Sequence, residues 1–234
     1  LAEALAPKPV PGYAQAMKGL PPLKITNIKT IMTAPNRIRL VVVKVETSEP
    51  GLYGLGCATF TQRALVVKTA IEEYLKPFLI GRNVDEIEDI WQSSYMSSYW
   101  RNGPVLFNAM SGVDIALWDI KGKALGVPVY ELLGGAYRTR IQLYANYWFI
   151  EGGHTAEEYA RQAREAVAHG FTALKFDPFA HVHYWYGEDL SANGSLTEAQ
   201  KRLARDLVKA VAEAVGVADG VAVGVPPPHD IVRL

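Results

Sequence analysis

The sequence predicts an α+β domain followed by the first βα units of a parallel α/β sheet. Val-rich segments joined by a hairpin turn occupy the first part of the chain, which is typical of an antiparallel sheet. From Thr139 onward, strand-like segments alternate with capped helices, which is the pattern of βαβ units. One of these strands, residues 171–177, ends with Lys175 and Asp177, two residues apart and therefore on one face. In α/β barrels, acid/base groups lie at such strand ends.

Composition narrows the classes of function. The 234 residues contain 24 Lys+Arg and 24 Asp+Glu, and this balance argues against a nucleic-acid partner. No apolar run reaches the roughly 18 residues of a membrane span, and residues 1–23 lack the pattern of a secretory signal. The single Cys57 cannot form an internal disulfide, so we expect a cytoplasmic protein and a small packed cysteine.

The first domain is predicted to span residues 24–138, after a Pro- and Gly-containing lead-in at residues 1–23. Its strands are expected at residues 24–32, 38–46 and 52–58, with turns at residues 33–37 and 48–51.

Three helices are expected to follow the strands of the first domain. The first covers residues 64–78, and the second is capped by Asp85 with Glu88 three residues on. The third starts at Pro104, a favoured first-turn residue, and ends at Gly126.

The second domain is predicted to span residues 139–234. Its strands are expected at residues 141–146, 171–177 and 221–225. Thr155 with Glu158, and Ser195 with Glu198, have the spacing of capping boxes at the starts of two intervening helices.

Three motifs resemble the mandelate racemase/muconate lactonizing group of the enolase superfamily. They are YWRNGP at residues 99–104, SGVDIALWDIKGK at residues 111–123 and GVPVYELLGG at residues 126–135. Within that group the chain is most similar to the sugar-acid dehydratases of the mannonate and gluconate type. The resemblance implies an α+β capping domain followed by the start of a (β/α)₇β TIM-like barrel.

The same resemblance implies a reaction and a set of site residues. Family members use Mg²⁺ and remove the proton α to a carboxylate, after which dehydratases expel a hydroxyl group. Lys175 corresponds to the proton-abstracting position, and Asp177 to its electrostatic partner or a second polar contact. The substrate, a sugar acid, would be contacted by side chains of a capping loop, of the first barrel strand end and of the loop after the second strand: Asn36, Arg37, Asn146, Trp148 and His183.

Simpler interpretations stand beside these assignments. Lys175 and Asp177 could form a structural ion pair at a strand end, and Asn36 and Arg37 could be turn residues. A metal-binding role for the His-x-His motif that includes His183 is a weaker alternative to a substrate-contacting loop.

The sequence departs from the family pattern in its last part. No acidic residue lies at residues 221–225, and strands four to eight of the barrel have no counterpart, so the metal ligands cannot be assigned. We therefore expect a truncated or divergent chain. A racemase or epimerase on the same scaffold, and a non-catalytic remnant or assembly subunit, remain alternatives. Since a half-built parallel sheet exposes an unpaired edge, we also expect a homo-oligomer.

Overall fold

The computed structural model of the chain describes residues 22–35, 38–150, 152–180 and 196–216, together with the backbone of residues 222–224. The chain divides into two compact units, Leu1–Tyr137 and Arg138–Leu234. The sequence had placed this boundary one residue later, between residues 138 and 139. Among the helices of the described residues, none combines the length and the apolar character needed to cross a membrane.

The first unit contains an antiparallel sheet in the order β1-β2-β3. Its strands lie close to the predicted positions, at Ile25–Thr33 (β1), Leu40–Thr47 (β2) and Tyr53–Cys57 (β3). The Val-rich strand β2 alternates as expected for a sheet covered on one side. Val41, Val43 and Val45 are fully buried, whereas the residues between them are half-buried on the other face. This confirms the predicted sheet.

Helices follow the sheet in the first unit. Helix α1 is continuous and has three consecutive parts: Ala64–Thr69, the π-helical turn Ala70–Leu75, and Lys76–Leu79. The π turn ends two residues before Pro77, whose ring crowds the preceding turn of an ordinary α-helix. Widening the backbone at this point lets the helix continue past the proline.

Helix α2 spans Ile87–Met96, but its start is not capped as the sequence predicts. The N-cap residue is Glu86, and no side chain accepts a hydrogen bond from the first turn. The carboxylate of Asp85 instead accepts a hydrogen bond from Lys121 Nζ at 2.6 Å. The predicted Asp85 cap is therefore wrong, because a cation from a distant part of the chain takes its carboxylate.

Helix α3 spans Pro104–Leu125 and confirms the predicted start and end. Pro104 occupies the first turn, and Gly126 ends the helix in the left-handed conformation with φ 68°. A short helix, α4, follows at Val129–Leu132. The buried side of α3 is formed by small and aliphatic residues: Ala109, Met110, Gly112, Val113, Ala116, Leu117, Ile120 and Gly122.

Strand β3 lies directly on the backbone of helix α3. A Cβ atom added to Gly54 would lie 1.9 Å from the carbonyl oxygen of Ala116, and one added to Gly56 would lie 1.9 Å from that of Gly112. The two glycines therefore allow a close approach of strand and helix. Cys57, at the end of the same strand, is exposed, so its predicted packing is wrong. Buried and exposed residues alternate along β3, and the two glycines occupy the buried positions. Cys57 therefore falls on the exposed face.

The second unit contains helices α5 (Ala156–Ala168) and α6 (Glu198–Val215), with strands β4 (Ala173–Lys175) and β5 (Ala222–Gly224). The two strands pair in parallel, which is the predicted arrangement of βα units. The buried core is shared by both helices and β4, and includes Tyr159, Ala163, Leu174, Phe176, Leu207 and Val211.

Two predicted details of the second unit are wrong. Residues 141–146 form no strand and make only one parallel bridge, between Ala145 and Leu174. Ile141 and Leu143 are 80% and 67% exposed, so this segment lacks the cover that parallel strands need on both faces.

The start of α6 also differs from its prediction. Thr197, two residues after Ser195, is the N-cap, and it forms a complete capping box with Gln200. The side chain of Gln200 carries an oxygen acceptor, as a glutamate would. Thr197 and Gln200 therefore have the same capping-box spacing as Ser195 and Glu198.

Candidate functional site

The end of strand β4 carries the two side chains that the sequence singles out for chemistry. Leu174 and Phe176 are 2% and 1% exposed and pack into the core formed with α5 and α6. Lys175, which lies between these two residues, is exposed, and Asp177, which follows Phe176, is half-buried. The alternation places Lys175 and Asp177 on the face of the strand that is turned away from the helices.

Lys175 and Asp177 share this face but do not bond to each other. No salt bridge joins them among the ion pairs of the described residues. Asp177 Oδ1 accepts a hydrogen bond from the backbone N–H of Phe179 at 2.9 Å, and the Asp177 carbonyl accepts one from Ala180 at 3.2 Å. The carboxylate thus stabilises the turn after β4. The interpretation as a direct structural ion pair does not describe this geometry.

The ammonium group of Lys175 has an aromatic neighbour instead. Its Nζ lies over the ring of Tyr144, 5.7 Å from the ring centroid, within the range of a cation–π interaction. Tyr144 and Asn146 are both exposed and flank the buried Ala145. Both therefore belong to the same face as Lys175. Tyr144 begins the strand-end segment 144–148 that was expected to contact the substrate, although it was not named individually as a site residue.

The segment 145–148 bonds to both backbone polar groups of Lys175. The Lys175 N–H donates to the Ala145 carbonyl at 2.9 Å, and the indole N–H of Trp148 donates to the Lys175 carbonyl at 3.1 Å. The Ala145 N–H in turn donates to the Ala173 carbonyl at 2.9 Å. The backbone of Lys175 is therefore held while its side chain remains exposed.

Trp148, predicted as a substrate contact, is half-buried in an aromatic cluster. Its ring meets those of Phe149, Tyr159 and Phe176 edge-on, with centroids 5.7, 6.1 and 5.5 Å away. The cluster continues to His154, whose Nδ1 lies 3.3 Å from the Tyr159 hydroxyl oxygen. These contacts give Trp148 a structural role at the strand end.

Between Asn146 and Trp148 the backbone reverses sharply. Tyr147 has φ 62°, the one positive value among the described residues other than glycine. Its N–H donates to Asn146 Oδ1 at 3.0 Å. This left-handed conformation is uncommon for a residue with a large side chain. It lets Asn146 remain on the exposed face while Trp148 turns into the core.

Three other predicted site residues, Asn36, Arg37 and His183, lie outside the described residues. The structure therefore brings together Lys175, Asn146 and Trp148, with Asp177 close in sequence but bonded elsewhere. No group of three or more His, Cys, Asp or Glu side chains suited to a metal ion occurs within the described ranges. Asp177 is engaged with a backbone N–H, so the described residues do not fit a magnesium centre.

A groove lies on the first unit, along helix α3. Its volume is about 730 Å³, and it is lined largely by apolar side chains: Leu55, Asp114, Ile115, Trp118, Asp119, Lys123, Val129 and Leu133. Asp119 accepts hydrogen bonds from Lys123 Nζ at 2.6 Å and from the Leu55 N–H at 2.8 Å. Partial burial, and secondarily Glu88, raise the pKa of Asp114. Because Asp119 and Lys123 bond to each other, the candidate chemistry remains with Lys175.

Comparison with known proteins gives a consistent picture. Residues 16–134 match the family model described as the N-terminal domain of mandelate racemase/muconate lactonizing enzyme. A D-galactonate dehydratase family member from Musicola paradisiaca is 66% identical over 135 residues, which is 58% of this chain and 32% of the relative.

Solved structures are similar in fold as well as in sequence. An enolase from Pantoea ananatis, with bound D-gluconate and Mg, is 56% identical with a TM-score of 0.61 and covers 68% of this chain. A putative dehydratase from Mesorhizobium loti is 35% identical with a TM-score of 0.78 and covers 87% of this chain. This chain spans 38% and 52% of those two proteins, respectively.

Proposed function

Because this chain belongs to the mandelate racemase/muconate lactonizing enzyme family of the enolase superfamily, we propose that its complete protein is a sugar-acid dehydratase. The substrate would be an aldonate or aldarate, from which the α-proton is removed and water is then lost. The D-galactonate dehydratase family relatives and the gluconate bound in the Pantoea ananatis structure support this substrate class.

The observation that carries the proposal is the placement of Lys175. Its side chain is exposed at the end of a parallel strand, on the face away from the helices, while both of its backbone polar groups are bonded. A base that removes a weakly acidic proton must be held close to that proton. A fixed backbone with an exposed amine meets this need.

In the proposed first step, neutral Lys175 Nζ takes the α-proton of the substrate. The electrons of the broken C–H bond move into the carboxylate, which becomes an enediolate. Asn146, on the same face, would contact a substrate hydroxyl or carboxylate through its amide. Collapse of the enediolate then restores the carboxyl group, forms a C=C bond between the α and β carbons and expels the β-hydroxyl group, which takes a proton from the Lys175 ammonium group and leaves as water.

The remaining roles are part of the same proposal. Asp177 would act as a polar contact near the substrate, since in this structure it does not bond to Lys175. Mg²⁺ is the proposed cofactor on the strength of the Pantoea ananatis structure. The described residues do not fit a metal centre, so the proposed steps use only side chains of this chain. A cytoplasmic homo-oligomer is proposed as well, the oligomer being supported by the exposed Ile141 and Leu143.

The proposal can be tested in a hybrid enzyme. Residues 22–180 of this chain would replace the matching part of a D-galactonate dehydratase family member from Pantoea ananatis, which is 59% identical over 153 residues. Exchange of the α-proton of D-gluconate, D-galactonate and D-mannonate with deuterium would be followed by ¹H NMR with Mg²⁺ present. We expect exchange, and its loss by at least about a hundredfold in Lys175→Met, since general-base groups contribute roughly 10²–10⁴-fold.

Lys29→Met is a matched control within the transferred segment, because Lys29 is an exposed residue of strand β1 whose ion-pair partner Glu46 keeps a second ion pair with Lys44. It should retain full exchange. Undiminished exchange in Lys175→Met would remove Lys175 from the mechanism. Product analysis separates the alternatives, since a dehydratase forms a 2-keto-3-deoxy acid and an epimerase returns the epimer of the substrate. An absence of exchange with every substrate would favour the non-catalytic alternative.

A further inference from the structure

The carbonyl group of Lys175 accepts a hydrogen bond from a side chain. Strand β4 ends at Lys175, with β5 paired along one edge, where Lys175 lies opposite Gly224, and with the single bridge at Ala145 on the other edge. The indole N–H of Trp148 donates to this carbonyl at 3.1 Å. We infer that Trp148 is a positioning residue that fixes the backbone of Lys175, an inference that rests on the proposed function for its catalytic meaning.

The direction of this hydrogen bond is set by packing. Trp148 meets three buried aromatic rings edge-on, those of Phe149, Tyr159 and Phe176. Neighbours on several sides leave the indole few alternative rotamers. Phe176 follows Lys175 directly. Trp148 therefore packs on one residue of this strand end and donates its hydrogen bond to the residue before it.

The backbone before Trp148 provides independent support. Tyr147 adopts φ 62°, and its N–H is bonded to Asn146 Oδ1. Residues in sparsely populated conformations persist where the surrounding structure requires them, and they cluster at functional sites. Here the reversal directs residue 148 back toward β4, whereas an extended backbone would carry the chain away along the strand direction.

The result is a clamp on Lys175 made by one short segment. Ala145 accepts from the Lys175 N–H, and Trp148 donates to the Lys175 carbonyl. These two bonds flank the Cα atom and so fix the direction in which the side chain leaves the strand. A displacement of about 1 Å in a reacting group can lower a rate by about a hundredfold. Trp148 therefore acts on the reaction through Lys175, without touching the substrate.

The test uses the 234-residue chain and needs no catalytic turnover. In Trp148→Phe, we expect the Lys175 amide to exchange with deuterium about tenfold faster, as loss of about one hydrogen bond would allow. We also expect the NMR signal of the Lys175 carbonyl carbon to move upfield, a direct spectroscopic sign of a lost hydrogen bond. Trp91→Phe is the control. Trp91 also packs against an aromatic ring, that of Phe107, and its indole N–H makes no hydrogen bond among those of the described residues.

A second variant covers the case in which Trp148→Phe does not fold. Replacing Trp148 by benzothienylalanine exchanges the N–H for sulfur and keeps the shape of the ring. The carbonyl shift and the faster amide exchange should persist in it, while the cooperative melting transition is retained. An unshifted Lys175 carbonyl signal in this variant would overturn the positioning role. Because neither measurement depends on turnover, inactivity of the hybrid enzyme would contradict the proposed function without touching this result.

Discussion

Replacing Gly56 by alanine should strongly destabilise the first unit, because strand β3 lies on the backbone of helix α3. The new Cβ would be 1.9 Å from the Gly112 carbonyl oxygen and 3.0 Å from the Ala116 nitrogen. An ordinary contact between a carbon and a carbonyl oxygen is about 3.3–3.6 Å. Strand and helix would have to separate by more than about 1 Å for the methyl group to fit.

The expected cost follows from what would have to move. Overpacking typically costs about 1–3 kcal/mol when side chains can adjust. Both atoms that meet the new Cβ belong to the backbone of α3, which cannot change rotamer. We therefore expect a loss of at least about 3 kcal/mol, a large part of the roughly 5–15 kcal/mol that stabilises a typical domain. At about 4–8 °C per kcal/mol, the melting temperature should fall by at least about 10 °C.

The assay is thermal unfolding followed by far-UV circular dichroism, with Gly51→Ala as the control. Gly51 lies in the hairpin turn just before strand β3, but a Cβ atom added to it would meet nothing within 4 Å. Its φ of 82° makes alanine unfavourable by about 1–2 kcal/mol, a purely conformational cost. If Gly56→Ala melts no lower than Gly51→Ala, the close approach of β3 and α3 does not exist as described.

Two further predictions concern charge and capping. Hydrogen bonds from Lys29 and then Lys44 lower the pKa of Glu46 from 4.5 to about 2, so its stabilising contribution is complete above 4.5 and is lost as the pH falls toward 2. The free energy of unfolding, measured in urea, should therefore decrease over this range less steeply in Glu46→Gln, and equal slopes would contradict the assignment. Thr197→Ala removes the cap that accepts the Gln200 N–H at 3.2 Å and should cost about 1 kcal/mol. The exposed Thr172→Ala is its control, and equal stability of the two variants would refute the cap.

Much of the fold was accessible from local patterns in the chain. The alternation of valines in β2 predicted which face is buried, because successive side chains of a strand point to opposite sides. Pro104 and Gly126 predicted both ends of α3, because their backbone preferences act at a single position. The shared face of Lys175 and Asp177 followed from the same period of two. In each case the cause lies within one element.

Local competition explains the finer errors in the prediction. Asp177 was expected beside Lys175, but the following Pro178 favours a turn in which the carboxylate accepts the Phe179 N–H. That signal was present in the sequence and was outweighed by the attraction expected between opposite charges. The N-cap of α6 is similar, since Ser195 and Thr197 both have the sequence spacing of a capping box, and the one at Thr197 forms.

Contacts between distant parts of the chain were decided by the tertiary structure alone. Asp85 bonds to Lys121 on another helix, and Gly54 and Gly56 are required by a helix that begins almost fifty residues later. Trp148 reaches the carbonyl of Lys175, 27 residues away, and so supports the strand end in a way that the sequence does not predict. Periodicity and turn chemistry report how a segment folds against itself, whereas these partners are defined only when packing brings two segments together.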